Sequence, residues 1–597
     1  MTKMVGLLLF IFVGFWPLDR DSPESFRIMS CHTSFFRKLS FMRLIDSVTT
    51  RDDLADLLHV RRSLLTYVLY VAKPDSYYET FYIPKKNGDL REIEAPGREL
   101  KSIQKRLAFE ISAYQRYMYK QLEIETNIAH AFLKGKSIIT NAKIHKNKKY
   151  IVNIDLKDFF HTIHFGRVKG FFEKNEYYKL PSDVATIIAQ LTCYHGRLPQ
   201  GAPTSPVISN LICQVFDYRV LKIAKKFRLD YTRYADDLTF STNKLGFWDE
   251  YSKFLSELTG EIHRSGFAIN DAKTRIVKRE SKQTVTGLTV NKKVNVDRAF
   301  YRNTKAMTNY LYKTGSFTID GQPGTLNMLE GRYSFIDQIT RYNNKNDGNK
   351  HDIYKLSAKE KDYQKFLFYK SFISNEKPLV ATEGKTDTLY IKAALKNLYE
   401  RYPLLITKKP DGSFNYRVAF FKRSKKVQYF FNMSIDSADA LKNIYHFYTG
   451  KNKGFPNYYK MLTKQRMENA TVLLFDNEQR SERPLKNFIS LAALNEKQKV
   501  ELSTQLYTRL FDSSKLFLLT IPLPAGKVES EIEDLFTEAT RNTIIDGKYF
   551  SVNDKYDPAK FYGKKVFSEY IYDHYETIDF SGFIPLLDAI INIIQSK

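Results

Sequence analysis

The chain has 597 residues, 43% of them hydrophobic, and a formal net charge of +27. One hydrophobic core rarely organises that length, so more than one domain is expected. Three cysteines, Cys31, Cys193 and Cys213, with no CxxC pair, exclude a disulfide framework and a thiolate zinc site and fit a reducing cytoplasm.

The charge comes from 93 Lys and Arg against 66 Asp and Glu, and it accompanies 40 Tyr and 44 Phe. That mixture favours a polyanion offering both phosphates and stackable bases. A basic protein of membrane surfaces is the competing reading. The first apolar run, MVGLLLFIFVGFW (Met4–Trp16), follows a single lysine, Lys3. It is shorter than the ~20 residues a spanning helix needs and has the look of a signal-peptide core without a small-residue cleavage site. Residues 1–41 are therefore read as an extension from an upstream start codon, with Met29 or Met42 as the working start. A membrane anchor is the alternative.

From Leu44 onward the text is globular. TTRDDLADLLHV predicts a capped helix, and FYIPKKNGDLREIEAP a hairpin turned at KKNGD. LKSIQKRLAFEISAY predicts an amphipathic basic helix, and KKYIVNIDLKDFF a strand running into Asp155. DYTRYADDLTFST alternates as two short strands joined at ADD. Helical spacing then dominates RNTKAMTNYLYKTG and YSFIDQITRYN, while residues 341–352, RYNNKNDGNKHD, read as a linker. KEKDYQKFLFYKSFI is a further helix, and from Pro378 strand and helix signals alternate as in an α/β domain.

Two acidic constellations carry the chemistry. In the first, Asp155 ends an apolar strand, and Asp236 and Asp237 occupy the tip of the predicted hairpin. An adjacent pair of aspartates is solvated surface in most proteins. Here apolar strand residues flank the acids on both sides, and three carboxylates from two strands can hold two Mg²⁺ ions.

The motifs IVNIDLKDFF, LPQGAPTSPVISNLI, YTRYADDLTFS and GFAINDAKTRI occur in the order and spacing of reverse transcriptases, which the chain resembles over roughly residues 80–300. The resemblance implies a right-hand polymerase of fingers, palm and helical thumb, with Asp155, Asp236 and Asp237 as the catalytic, metal-binding acids. Phe160 matches the aromatic gate against a nucleotide 2′-hydroxyl. Gln200 and Gly201 match the loop along the incoming nucleotide and template, and Lys273 the lysine near the triphosphate. Lys134 and Lys136 match basic finger residues that approach the triphosphate, or are ordinary surface lysines. Asp158 is read as structural. NAKIH (Asn141–His145) and VTG (Val285, Thr286, Gly287) fit the two signatures of retron reverse transcriptases, where the resemblance implies recognition of the cognate RNA. On chemistry alone His145 reads as a solvated or structural histidine. The stretch DRAFYRNTKAMTNYLYK interleaves Arg298, Tyr301, Arg302, Lys305, Tyr310, Tyr312 and Lys313. It suits a thumb holding a duplex, with about half of its aromatics expected in the core.

In the second constellation, PLVATEGKTD and ATVLLFDNE place Glu383, Asp476 and Glu478 after buried strands. Acids at the carboxyl ends of such strands meet at one edge of an α/β sheet and repel unless a cation bridges them. The pattern resembles a TOPRIM domain, with Glu478 where the family usually has Asp. That resemblance implies Mg²⁺ or Mn²⁺ at Glu383, Asp476 and Glu478, with Glu383 catalytic. ESEIEDLF adds Glu531, Glu533 and Asp534 as a further acidic motif or an ordinary helix start.

The expected fold is multidomain, α/β and α+β: residues 1–41 as the extension, 42–297 as fingers and palm, 298–375 as thumb and linker, and 376–597 as the TOPRIM-like domain. The expected function is a bacterial, cytoplasmic retron reverse transcriptase with a nuclease-like effector in anti-phage defence. Its expected partners are the cognate noncoding RNA, the branched DNA product, deoxynucleoside triphosphates and further copies of the ribonucleoprotein, but not a membrane. The alternatives are a group II intron-like reverse transcriptase and maturase, or a TOPRIM domain that only grips nucleic acid.

Overall fold

The computed structural model describes residues 45–597 except 86–87, 125, 349, 434–438, 453, 463–468, 479–482, 512–513, 553–555 and 597. The reading of residues 1–41 and the turn residues Lys86 and Asn87 lie outside the described set. None of the described helices is long and apolar enough to cross a membrane. The described chain divides into two compact units, residues 45–302 with 341–343 and residues 303–340 with 344–597.

The first unit opens with helix Arg51–Leu57, closed by the expected capping box of Thr50 and Asp53. Strands β1 (Tyr78–Pro84) and β2 (Leu90–Pro96) form a separate antiparallel hairpin. Helix α1 (Arg98–Gln121) buries Leu100, Ile103, Leu107, Ile111 and Tyr114 at helical spacing. The short helix α2 (Ile138–Ile144) carries most of NAKIH. Strands β3 (Tyr150–Asp155), β4 (Asp230–Tyr234), β5 (Asp237–Thr242) and β6 (Arg275–Lys278) make one antiparallel sheet in the order β4-β5-β3-β6. Helices α3 (Ser205–Lys226) and α4 (Phe247–Arg264) bury their apolar stripes in the same core as β3 and β5.

One charge pair lies inside that core. The Arg233 guanidinium on β4 is fully buried and meets Asp217 of α3 in two hydrogen bonds of 2.8 Å each, while Tyr231 donates to the same carboxylate at 2.9 Å. A planar fork on a carboxylate is the arrangement that makes a buried pair tolerable.

Helix α5 (Arg298–Thr314) leaves Arg298, Arg302, Lys305, Tyr310 and Lys313 exposed, half-buries Tyr301 and buries Tyr312. Helix α6 (Leu326–Asn346) runs past the point at which the sequence reading places a linker. Polar composition ends the predicted helix early, but Asn343 spends its amide on the Val294 carbonyl at 2.8 Å, a tertiary contact that propensity does not register. Helix α7 (Ala358–Phe368) follows, with a Ser357–Glu360 capping box, and Tyr333 of α6 stacks on Tyr363 of α7.

The remainder of the second unit is an α/β sheet. Strands β7 (Leu379–Thr382), β8 (Ala419–Phe420), β9 (Thr471–Phe475) and β11 (Leu516–Thr520) run parallel, and β10 (Tyr507–Arg509) is an antiparallel edge. The order is β8-β7-β9-β11-β10. Every residue of β7, β9 and β11 is buried, the continuous apolar pattern of strands covered on both faces. Helices α8 (Asp387–Asn397), α9 (Lys564–Asp573) and α10 (Ile584–Gln595) share that core. From β7 the chain adds β8 on one side and later β9 on the other, so a topological switch point lies beside the carboxyl end of β7.

Replacing Arg233 by Leu strands the Asp217 charge in the core. The expected cost is about 3–5 kcal/mol, read as a lowered urea midpoint for the first unit, with Arg233→Lys intermediate because it keeps the charge and loses the fork.

Candidate active site

The sheet of the first unit sets three carboxylates at one end. Asp155, the last residue of β3, is the register partner of Asp237, the first of β5. Asp236 occupies the two-residue turn between β4 and β5, and its carbonyl accepts the Leu156 N–H at 2.9 Å. Ala235, the other turn residue, holds a left-handed backbone, φ 57°. That conformation is uncommon for a residue with a Cβ and survives where the surroundings impose it; here Arg233 donates to the Ala235 carbonyl at 3.2 Å.

Enclosure and then repulsion from Asp155 push the Asp236 carboxyl up. Enclosure, then Asp236 and Asp155, push Asp237 up to about 7. Asp237 keeps an exposed residue surface, so the unbalanced negative charge is the part of its shift that the surroundings support. Lys273 lies against Asp155 with Nζ 2.9 and 3.0 Å from the two carboxylate oxygens, and Asn270 donates to the same group at 2.9 Å.

Around these acids, Phe160 is half-buried and packs edge-on against Phe159 at 5.3 Å. The Gln200–Gly201 loop is docked on β2: Gln200 N–H donates to the Glu94 carboxylate at 3.2 Å, and its carbonyl accepts Glu94 N–H at 3.0 Å. Gly201 has φ 152°, and an added Cβ would stand 2.5 Å from the Glu94 carbonyl oxygen. Only glycine fits that approach. Glu94 is itself buried and meets His161 at 3.1 Å and Arg197 at 3.4 Å. Nothing in its strand context marks Glu94 in the sequence. Lys134 is exposed, Lys136 is half-buried and bonded to Asn127, and Asp158 is exposed with φ 47°.

The two signature motifs lie together. Thr286 and Gly287, with φ 45° and 81°, form the tip of a tight hairpin in which Val285 pairs with Leu288. Such turns need positive φ at both central residues. The Thr286 hydroxyl donates to the Ile138 carbonyl at the start of α2, at 3.4 Å. Asn141, His145 and Val285 are fully buried. The expectation that these three side chains read an RNA needs correcting: none presents a surface to a ligand, and only Thr286 and Gly287 of the five keep one.

The second unit gathers acids at its switch point. Glu383 follows β7, and its carboxylate accepts the N–H of Asp476, the first residue after β9, at 3.4 Å. Asp476 in turn accepts Ile532 N–H at 3.2 Å, bringing in the loop after β11. Asp387 caps the Gly384 N–H at 2.7 Å, and Glu478 and Glu533 are buried. Burial, with Asp387 and Glu478 adding repulsion, pushes Glu383 up to about 7. Burial also raises Asp387, Glu478 and, strongly, Asp476, and takes Glu533 to about 7. The cations at this edge among the described residues include Lys564, 2.8 Å from Glu531 and 3.3 Å from Glu533, Arg483, 3.4 Å from Glu478, and Arg423, which donates to the Glu383 carbonyl at 2.8 Å and lowers the Glu383 carboxyl. Burial alone would lower Lys564, but Glu533 and Glu531 outweigh it and hold the ammonium charged. Sequence spacing alone gave no reason to enlist Lys564, which arrives from the start of α9.

Among the described residues no three acidic, imidazole or thiol groups stand as a ready ligand set for one ion. The donor chemistry nonetheless suits a hard cation: both clusters offer carboxylate oxygens and carry more negative charge than their lysines and arginines neutralise.

A family model for reverse transcriptase (RNA-dependent DNA polymerase) matches residues 83–290. The retron Ec86 reverse transcriptase of Escherichia coli is 33% identical over 272 residues, which cover 45% of this chain and 81% of that protein. The chain belongs to the retron reverse transcriptases. Retron Mx162 reverse transcriptase of Myxococcus xanthus is 30% identical over 326 residues, 49% of this chain and 64% of its own. Among solved structures, telomerase from Candida albicans aligns with 49% of this chain and 59% of its own at a TM-score of 0.30 and 11% identity, a likeness too slight to define the fold. As a retron reverse transcriptase the chain is an RNA-directed DNA polymerase that takes an RNA template, and its polymerase centre implies a divalent metal, usually Mg²⁺. The stretch matched by the family model contains the three aspartates, the Gln200–Gly201 loop, Lys273 and both signature motifs; Glu383, Asp476 and Glu478 lie beyond it.

Gly201→Ala forces the loop off β2 or strains it by about 1–3 kcal/mol. Primer extension by this variant is expected to slow by roughly tenfold or more, with little change in the melting of the protein, because the loop rather than the core takes the strain.

Proposed function

We propose that this retron reverse transcriptase copies part of its cognate noncoding RNA into single-stranded DNA (msDNA), and that the product stays joined to the RNA through a 2′–5′ linkage. Asp155, Asp236 and Asp237 would hold two Mg²⁺ ions, which would supply charge stabilisation to the attacking 3′ oxygen and to the departing pyrophosphate. The Lys273 ammonium, released from Asp155, turns to the triphosphate of the incoming deoxynucleotide, where Lys134 and Lys136 add charge. Phe160 presents its ring to the sugar and crowds out a 2′-hydroxyl, and the Gln200–Gly201 loop lies along the nucleotide and template. Thr286 and Gly287 are the signature residues with surface to offer the RNA. The observation carrying this reading is the Asp155–Asp237 strand register with Asp236 in the adjoining turn, in a chain of this family.

We infer further that residues 376–597 form a TOPRIM-like, Mg²⁺- or Mn²⁺-dependent nuclease domain, with Glu383 catalytic and Asp476 and Glu478 as companion ligands. In the bacterial cytoplasm the ribonucleoprotein, which can contain several copies, restrains it until phage infection. The supporting observation is the meeting of Glu383 and Asp476 at the switch point of a parallel sheet. A second reading, a scaffold that grips nucleic acid without cutting it, draws on the cations in the same cluster, Arg483 paired with Glu478 and Lys564 paired with Glu531 and Glu533.

Expressed with its neighbouring noncoding RNA, the Asp236→Asn, Asp237→Asn variant is expected to yield no branched DNA; branched DNA at the wild-type level overturns the assignment of the palm acids. Glu383→Ala and Asp476→Ala are each expected to keep DNA synthesis and lose protection of infected cells. Unchanged protection in both makes those acids structural. Purified full-length protein that binds nucleic acid but leaves it intact with Mg²⁺ and with Mn²⁺ favours the scaffold.

A further inference from the structure

The NAKIH helix leaves Lys143 exposed and packs its buried residues toward the catalytic hairpin, where its contacts are specific. His145 caps the C-terminal end of α2 and has no exposed surface. Its Nδ1 lies 2.8 Å from Ser241 Oγ on β5, and its Nε2 lies 2.7 Å from Thr232 Oγ1 on β4. One rigid ring therefore spans two neighbouring strands, with one nitrogen for each. Burial lowers its basicity, to a pKa of about 3, so the ring is neutral, and the two hydroxyls satisfy it in either tautomer because each can donate or accept.

The other end of the helix reaches the tip of the same hairpin. Ile138 packs with Ala131 on Tyr234 and Ala235, the two residues before Asp236. Ser137 and Thr140 cap this end reciprocally, and His130 meets the Thr140 hydroxyl at 2.9 Å. The Thr286 hydroxyl of VTG closes on the Ile138 carbonyl. The helix is thus held at its start by VTG and grips the hairpin at its middle and its turn, opposite the Arg233 hydrogen bond to the Ala235 carbonyl.

We propose that NAKIH and VTG together form a brace behind the YADD hairpin, in which His145 is a positioning residue that fixes β4 against β5 and so places Asp236 and Asp237. The proposal rests on the reading of those aspartates as catalytic acids. It assigns the first signature motif to the turnover of any template, not to the choice of one.

The test uses full-length protein. Thr232→Val keeps the shape of the side chain and leaves His145 Nε2 without its partner; Thr232→Ser keeps the hydroxyl. On an unrelated RNA template with a DNA primer, Thr232→Val and His145→Asn are expected to lower kcat by roughly 100-fold, the scale of a small misplacement of reacting groups. The deoxynucleotide KM and the affinity for the cognate RNA stay near wild type, and Thr232→Ser restores most of the rate. Should Thr232→Val melt early, Ser241→Ala, which removes the other hydroxyl without adding bulk, carries the same expectation. Variants that lose cognate-RNA binding yet extend the unrelated template at the wild-type rate overturn the brace, as do variants that change neither. Asp236→Asn run alongside separates the two readings: if it extends the template normally, the acids are misassigned, whatever His145 does.

Discussion

Backbone pairing between β3 and β5 forces two carboxylates, Asp155 and Asp237, to face each other across neighbouring strands, with a third, Asp236, one residue away. Strand register permits no escape, since a one-residue slip would turn Ile154, Leu238 and Phe240 out of the core. The apolar faces of the sheet thus pin like charges where they repel. The rest of the centre answers that repulsion. Lys273 and Asn270 lean on Asp155, and the neighbouring carboxylates raise the Asp237 carboxyl above its ordinary value. A structure that accepts this cost places oxygen donors where a cation of high charge is worth most.

The second unit reaches a similar electrostatic state by different topology. Parallel strands deliver their carboxyl ends to one edge, and the reversal of strand order beside β7 opens a crevice there. Glu383 and Asp476 come from strands adjacent in the sheet but distant in sequence, joined by a single hydrogen bond from main chain to carboxylate. This cluster differs from the first in its counter-ions: Lys564 and Arg483 are built into it. A cation entering here meets Lys564, Arg483 and Arg423, whereas the first centre holds Lys273 against Asp155.

Much of the first centre was legible because its motifs are local. A strand ending in Asp155 and a hairpin tipped by Asp236 and Asp237 follow from alternation and turn chemistry; the structure ends the strand at Asp155 and keeps Asp236 in the turn, but makes Asp237 the first paired residue of β5. The alternation of apolar strands with helices beyond Pro378 likewise becomes a mostly parallel sheet. What stayed hidden depends on contacts across the chain. Glu94 supports Gln200 and Gly201 from more than a hundred positions upstream and looks like one more charge on an exposed hairpin. Lys564 enters its cluster from a helix start whose sequence is unremarkable in charge. Helix α6 outlasts its own polar text because Asn343 finds a carbonyl on another segment. The signature motifs were legible as text, but whether His145 is solvated or structural was not, because burial depends on contacts with β4 and β5 that the motif itself does not encode.

A buried histidine contributes little to stability that an apolar side chain of similar size would not, and it carries the risk of an unsatisfied nitrogen. Its benefit is specificity of placement: two hydrogen bonds of defined length fix two strands more narrowly than apolar packing does. The hairpin needs that precision more than any other element of the unit. Its turn holds Ala235 in a conformation the residue would not choose, and the next two residues carry charges that push apart. Arg233 restrains the turn from within the hairpin and His145 restrains the strands from outside it, so neither the strain at Ala235 nor the repulsion between Asp236 and Asp237 can relax by parting β4 from β5.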